Sequence, residues 1–300
     1  MKNKKVIVTG GAGFIGHHLV RRLNSLSYKV LILDNLSSGY QKNIPLSDNI
    51  FFQNIDIRED LSGIFSDFKP SIVFHLAARP SVPFSVANPI LTNDININGT
   101  LNLLDMSAKH GVNRFIFSSS SSVYGGNDGS PSQESAEPNP QSPYALQKLV
   151  GEQYCKLFLK YGLDTCSLRY FNVFGERQDP ESPYAAVIAS FLKHLKNNST
   201  PTIYGDGKQT RDFCHVDNVV LANLAAATRS SPINGEVFNI GCGESISIND
   251  VASYFNFNKI NYEKERPGDV KASLADISKA QALLGYYTVK DFKTGIKEII

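Results

Sequence analysis

Three hundred residues are enough for one large core, or for a main domain with a smaller lobe. Apolar residues make up 42% of the chain and charged residues 19%, and the net charge of +2 mixes both signs, so nothing points to nucleic acid or a membrane surface as partner. The longest apolar runs fall far short of the roughly 20 residues that span a bilayer. The four cysteines (Cys155, Cys166, Cys214 and Cys242) lack CxxC or metal-ligand spacing and read as reduced, buried thiols of a cytoplasmic protein with no metal site.

Met1-Lys2-Asn3-Lys4-Lys5 has the charge of a secretory leader, but the apolar run behind it stops at Thr9-Gly10-Gly11 and reads as a first strand instead. Lys5 to Thr9 is a β-branched run suited to a buried parallel strand. Gly10-Gly11-Ala12-Gly13-Phe14-Ile15-Gly16 follows, then an amphipathic helix to about Leu26. Between strand and helix, such glycines allow a tight turn and close approach to a pyrophosphate, and the helix N-terminus adds amide donors. A second strand, Lys29 to Leu33, ends at Asp34, about 20 residues beyond the glycines, where an acid binds the adenosine ribose of NAD and repels a 2′-phosphate. No arginine follows at once, so NAD is favoured over NADP.

A third strand, Ile50 to Ile55, leads to Asp56-Ile57, placed to flank an adenine. A fourth, Ser71 to Leu76, leads to Ala77-Ala78, small enough to leave room for a cofactor backbone. His75 reads as a packed strand-end histidine rather than a catalyst. Pro89 to His110 forms one long helix, with Asn96, Asn98, Gly99 and Thr100 on its early turns. Phe115-Ile116-Phe117 then runs into five serines, Ser118 to Ser122, and Val123-Tyr124-Gly125.

After a polar loop comes Tyr144-Ala145-Leu146-Gln147-Lys148. Tyr and Lys four apart share a helix face, so the ammonium can favour the phenolate and lower the tyrosine pKa. Ser120, arriving from a strand end, can complete a proton-transfer site. Alone, the pair suits a solvated helix better than a site; its setting among strand-end residues reverses that. A sixth strand, Asp164 to Phe171, ends at Asn172. The alternation gives an α/β fold, a Rossmann-type doubly wound parallel sheet with ligands at its carboxyl ends. Residues 1–171 form the NAD-binding domain, rejoined by about 215–240 through a helix from Val216 to Thr228 and a strand at Val237 to Ile240. Residues 172–300 form a smaller α/β substrate lobe. Arg211 and Arg266 sit in polar loops of that lobe; their planar forks suit a diphosphate, though on spacing alone surface solvation explains each equally well.

Thr9 to Gly16, the serine run before Val123-Tyr124-Gly125, and Tyr144-x-x-x-Lys148 resemble the extended short-chain dehydrogenase/reductases. Arg169-Tyr170-Phe171-Asn172, Thr210-Arg211-Asp212-Phe213 and Arg266-Pro267-Gly268-Asp269 narrow the resemblance to nucleotide-sugar enzymes. Phe171 to Pro180, Tyr184 to Ile188 and Ser273 to Ala280 look most like the UDP-N-acetylglucosamine and UDP-glucose 4-epimerases. The resemblance implies that Tyr144 is the catalytic base and acid. Lys148 would bind the nicotinamide ribose and depress the tyrosine pKa, and Ser120 would hydrogen-bond the reacting hydroxyl, with Ser119 or Ser118 as possible offsets.

It further implies cofactor contacts from Gly10, Gly13, Phe14, Ile15, Gly16, Asp34, Asn35, Ser38, Gly39, Asp56, Ile57, Leu76, Ala77, Ala78, Asn96, Ser118 and Tyr170. Substrate contacts are implied for Ser81, Ser121, Ser122, Asn172, Ala186, Val187, Thr202, Ile203, Tyr204, Arg211, Arg266, Asp269 and Ser273. A homodimer through the helix of Tyr144 and the long helix before it is also implied.

Two contrasts sharpen the expected reaction. Dehydratases of this family carry Asp-Glu just after the catalytic Thr, and decarboxylating relatives usually keep the Glu. Ser121 and Ser122 stand there instead and cannot do acid–base work near neutrality, so elimination and decarboxylation are disfavoured. Seven residues past the arginine of Arg-x-Gly-Asp, strict UDP-glucose epimerases tend to have tyrosine; Ser273 leaves room for a 2-acetamido group. The expected reaction is NAD-dependent C4 epimerisation of a UDP-hexose, favouring UDP-GlcNAc and UDP-GalNAc, with UDP-glucose/UDP-galactose as the alternative.

Overall fold

The computed structural model describes residues 4–179, 186–265 and 270–300. The β-branched first run is β1 (Lys5–Thr9), and α1 (Phe14–Ser25) starts directly behind the glycines. Its buried face carries Leu19, Val20 and Leu23, while Arg21 and Arg22 stay outside. There follow β2 (Lys29–Asp34), β3 (Ile50–Asn54), α2 (Ser62–Phe68) and β4 (Ile72–His75). A short α3 (Val82–Ala87) is capped by Ser81, and α4 (Pro89–Asn93) continues through a π-helical turn, Asp94–Asn98, into α5 (Gly99–Lys109). The single long helix expected from the sequence is thus one rod with a π-turn set into it. Next come β5 (Arg114–Ser120), which runs into a 3₁₀ turn, Ser121–Tyr124, then α6 (Pro143–Phe158) and β6 (Asp164–Tyr170).

The remaining elements are shorter: β7 (Val173–Phe174), α7 (Val187–Lys196), β8 (Thr202–Tyr204), β9 (Thr210–Arg211), β10 (Cys214–His215), α8 (Val216–Thr228) and β11 (Val237–Ile240). They are followed by β12 (Ile246–Ser247), α9 (Ile248–Ser253), β13 (Asn261–Glu263), β14 (Ala272–Ser273), α10 (Ser278–Leu284) and α11 (Phe292–Ile299).

Seven strands make one sheet in the order β11-β6-β5-β4-β1-β2-β3. β1 pairs in parallel with β2 and β4, β2 with β3 and β4 with β5, so the sheet is the doubly wound parallel one that strand–helix alternation predicts. The strand from Val237 does rejoin it, at the edge beside β6.

The chain divides into two compact units. The first comprises residues 1–120, 142–169 and 220–238, the second 121–141, 170–219 and 239–300. Ile7, Val73, Phe115 and Phe117 pack with Leu103 and Leu104 in the core of the first. Phe174, Phe191, Phe213, Phe255 and Phe292 build that of the second.

One close approach in the first unit fixes the position of α6. Gly151 faces Phe117 of β5, and a Cβ there would lie 2.4 Å from the ring. Overpacking of this kind costs about 1–3 kcal/mol. Gly151→Ala should therefore lower the melting temperature by several degrees and reduce turnover, because α6 must lift from β5. A melting curve and kcat equal to those of the parent protein would show the contact to be soft.

Candidate active site

The glycine loop closes on itself. Gly10 has φ +69, and a Cβ on Gly16 would lie 2.0 Å from the Gly10 carbonyl oxygen. The turn therefore brings the start of α1 against β1, and the first amides of α1, at Phe14 and Ile15, have no intrahelical acceptor. Asp34 ends β2 and is nearly buried; its carboxylate accepts from Ala12 N at 3.0 Å and from Leu36 N at 2.9 Å. The chain after β2, with Ser38 and Gly39, folds back so that Tyr40 N donates to the Ala12 carbonyl. Asn43, buried and given no role by the sequence reading, donates to the same carbonyl at 2.9 Å.

Asn35 donates to Asp56 at 2.8 Å, and Arg58 grips the same carboxylate, holding its pKa down at about 2. Ile57 lies in the core, and Ala77 N donates to Thr9 Oγ1 at 3.2 Å. A glycine turn at a helix N-terminus and a fixed carboxylate at the end of β2 fit an NAD pyrophosphate and ribose.

Asn96 occupies the π-turn. Its amide donates to the Arg79 carbonyl at 3.2 Å and to Gln147 of α6 at 2.7 Å, and its oxygen accepts from Arg79 N at 2.8 Å. Both amide hydrogens are thus committed within the protein, holding the segment after β4 to α6. His75 is structural. Thr100 gives its hydroxyl hydrogen to the Asn96 carbonyl, so His75 Nε2 donates to Thr100 and Nδ1 accepts from Thr9, each at 2.8 Å. Burial, with Lys148 nearby, pushes its pKa down to about 3 and keeps it neutral.

Tyr144 and Lys148 are both buried, one turn apart on α6. Tyr144 N donates to Ser85 Oγ at 3.1 Å, which fixes the start of the helix. The Tyr144 side chain shares a hydrogen bond with Ser120, whereas Ser119 donates its hydroxyl to Glu152 at 2.5 Å. The two serines thus meet different turns of the same helix, Ser120 the first and Ser119 the third. Lys148 Nζ donates to the Ser118 carbonyl at 2.7 Å and lies 5.9 Å from the Tyr144 ring centroid.

The expected drop in the tyrosine pKa is not what the resting structure has. Burial pushes Tyr144 up to about 12, against which the Ser120 hydrogen bond pulls. Burial also pushes Lys148 down to about 8. At the pH where the phenol alone would ionise, Lys148 has already lost its charge and cannot help; near neutrality it is still an ammonium. A cation so placed can stabilise only a transient phenolate formed well below the resting pKa.

The second unit holds a cavity of about 350 Å³. Asn172, Ala186, Val187, Thr202, Ile203, Tyr204 and Arg211 all line it, though they are scattered over some forty residues of sequence. Arg211 is not in a loop, as its polar neighbours suggested. It lies in β9, paired with β12 and β14, and donates to the Thr210 carbonyl at 2.8 Å. A two-residue strand carries no periodicity to read.

Gln178 and Gln209 also line the cavity and were missed; their amides donate to the carbonyls of Val173 at 3.1 Å and Tyr204 at 2.7 Å, which orients them. Asn172 donates to the Asp212 carbonyl at 3.1 Å. Ser273 is buried in β14, in parallel register with Arg211. Arg266 and Asp269 lie outside the described residues, as does Tyr184. Tyr170 is buried at the end of β6, Ser81 caps α3, and Ser121 and Ser122 form the turn after β5. Among the described residues no group of side chains could hold a metal ion, and no helix is long and apolar enough to cross a membrane.

Residues 6–241 match the NAD dependent epimerase/dehydratase family. The chain belongs to that family. NAD is its cofactor. The chain is 41% identical over 304 residues to a putative UDP-glucose 4-epimerase of Methanocaldococcus jannaschii, covering 98% of this chain and 97% of the relative. Among solved structures it resembles a UDP-N-acetylglucosamine 4-epimerase from Methanobrevibacter ruminantium in complex with UDP-N-acetylmuramic acid, at TM-score 0.94 and 43% identity over 100% and 97% of the two chains. A UDP-glucose 4-epimerase of Thermotoga maritima with UDP-glucose gives TM-score 0.92 and 40% identity over 98% and 96%.

Removing the hydroxyl that opposes burial at Tyr144 tests the geometry. Ser120→Ala should lower kcat about 10–100-fold, as loss of one catalytic hydrogen bond does, and move the rising limb of the kcat profile to higher pH. Nucleotide-sugar affinity should hardly change. Retention of full kcat would remove Ser120 from the proton path.

Proposed function

We propose that this NAD-dependent enzyme, a UDP-sugar 4-epimerase like its relatives, favours UDP-GlcNAc and UDP-GalNAc. The observation that carries the reaction is the buried Tyr144–Ser120 hydrogen bond with the Lys148 ammonium one helical turn away. Tyr144, as the phenolate, takes the proton of the sugar C4 hydroxyl and later returns it to the C4 oxygen of the turned sugar. Ser120 steers that proton, and Lys148 stabilises the negative charge on the phenol while it lasts. NAD, which the glycine loop and Asp34 would hold, would supply the acceptor and donor for the C4 hydride, so the reaction would have no net redox change. The 4-keto sugar must turn over between the two transfers, which requires the nucleotide to be held tightly and the hexose loosely.

The cavity of the second unit suits the nucleotide part. Arg211 offers a fork for the diphosphate, and the apolar wall of Val187 and Phe213 with two tethered carboxamides suits a base with polar edges. The β8 strand pairs on one side with β13 and on the other with no strand among the described residues, leaving backbone groups for a base. Ser121 and Ser122 supply no carboxylate, which favours return of the ketone to a hexose over elimination.

Ser273 supports the acetamido preference, since a small side chain on the Arg211 face of its sheet leaves space for the 2-substituent. The similarity to the Methanobrevibacter enzyme favours the same reading. The likeness to UDP-glucose 4-epimerases keeps plain hexoses as the second reading. Val86, Ile90, Leu146 and Leu157 leave apolar area exposed on α3, α4 and α6, which supports a homodimer through these helices.

Two measurements bear on these readings. Incubation with UDP-GlcNAc, UDP-glucose and UDP-glucuronic acid separately, without added NAD, should convert UDP-GlcNAc fastest, and Ser273→Tyr should suppress acetamido sugars selectively. Faster conversion of UDP-glucose, or equal loss on both sugar types, overturns the preference. Sedimentation equilibrium should find a dimer, and Ile90→Asp with Leu146→Asp should return a monomer; a monomeric parent protein removes the dimer.

A further inference from the structure

One buried charge cluster lies beside the proton machinery without belonging to it. Glu152 follows Lys148 by one turn on α6, its side chain only 2% exposed. Its carboxylate accepts from Arg169 Nε at 2.8 Å and Nη2 at 2.7 Å, and from the Ser119 hydroxyl at 2.5 Å. Arg169, on β6, is only 3% exposed. Tyr144, Lys148 and Glu152 thus engage Ser120, the Ser118 carbonyl and Ser119 in turn, so three turns of α6 grip three successive residues at the end of β5.

A buried Glu–Arg pair is weak evidence for stability, because desolvation offsets most of its attraction, and apolar residues of similar volume often serve as well. The shared hydroxyl and the neighbouring ammonium give this pair more to do. We propose that Glu152 is a positioning residue: through Ser119 it sets the pitch at which Ser120 meets Tyr144, and it supplies the buried negative charge that Lys148 faces.

The groups that face Lys148 are few. Tyr144, Glu152 and Cys155 come from α6 itself, and His75 comes from β4. His75 stays neutral, and burial pushes the Cys155 thiol far up, so it carries no charge either. Glu152 is then the anion of this set that opposes the burial of Lys148. Removing its charge must lower the pH at which Lys148 deprotonates, and the ammonium that assists Tyr144 is lost earlier as pH rises.

This inference rests on the reading of Tyr144 and Lys148 as the proton machinery, and Tyr144→Phe tests that separately. If Tyr144→Phe keeps its turnover, the functional reading fails whatever Glu152 does. Glu152→Gln keeps shape and an acceptor for Ser119 but removes the charge. It should lower kcat about 10-fold with KM for the UDP-sugar changed less than about threefold, and shift the alkaline limb of kcat to lower pH. The Lys148 titration, followed by NMR of the lysine-labelled protein and assigned with Lys148→Arg, should move down with it.

A lone Arg169 can destabilise that variant, so the double change Glu152→Gln with Arg169→Gln removes both charges. It should recover the melting temperature but not the kcat or the pH profile. Ser119→Ala, a small change, should lower kcat several-fold with no shift of the alkaline limb. Full recovery of kcat in the double variant, or an unshifted Lys148 titration in Glu152→Gln, overturns the electrostatic role. Parental kcat in Ser119→Ala overturns the positioning role.

Discussion

A phenol and an ammonium held out of water on one helix face are the constraint on which the first unit depends. Neither group is easily buried, and each must be met by something fixed. The Ser118 carbonyl receives the ammonium and Ser120 meets the phenol, so β5 and α6 cannot slide past one another. Gly151 permits the close seating by leaving room for the Phe117 ring, over whose face Lys148 also lies, 4.8 Å from the centroid. From the other side, Ser85 holds the first turn of α6, and Gln147 is gripped by Asn96 and Thr92. The π-turn that brings Asn96 inward is the kind of local irregularity that persists where a side chain must be aimed.

This clamp also explains why His75 is neutral rather than reactive. It sits at the end of β4, within reach of the Lys148 charge, and a second cation there would be costly. Its two hydroxyl partners fix a neutral tautomer and knit β1, β4 and α5 together. A histidine at the end of a sheet strand invites a catalytic reading, but here burial first, and the Lys148 charge second, assign it to the framework.

Much of this was legible in the sequence, and the reasons are physical. Strand ends with glycine, aspartate and serine are visible because a parallel sheet repeats the same pattern every thirty residues or so, and the period of each segment survives in the hydrophobic spacing. What failed were features without a period or with a partner far away. Arg211 belongs to a strand two residues long, and only its pairing with Ile246 and Ser273 reveals it. Gln178 and Gln209 look like solvated glutamines until the fold turns them onto a cavity wall. Glu152 follows Lys148 on the same helix face, yet nothing local says that Arg169 will meet it on the next strand. The tyrosine pKa was misjudged for a related reason: the opposite charge is visible in the sequence, whereas the depth of burial is not.

Magnitudes reconcile that misjudgement with the chemistry. Raising a phenol from its ordinary value of 10 to about 12 corresponds to roughly 3 kcal/mol against the phenolate. The Lys148 ammonium, 5.9 Å from the ring centroid, acts the other way, since opposite charges a few ångströms apart at an effective dielectric constant of about 20 attract by a few kcal/mol. The two effects oppose one another, so a phenolate beside a charged Lys148 is more accessible than burial alone allows, although each group titrated alone looks unsuited to its task. In the reaction proposed above, the pair works only while Lys148 keeps its proton. The pH at which a buried ammonium at about 8 gives way, rather than the phenol itself, would then set the upper limit of the site.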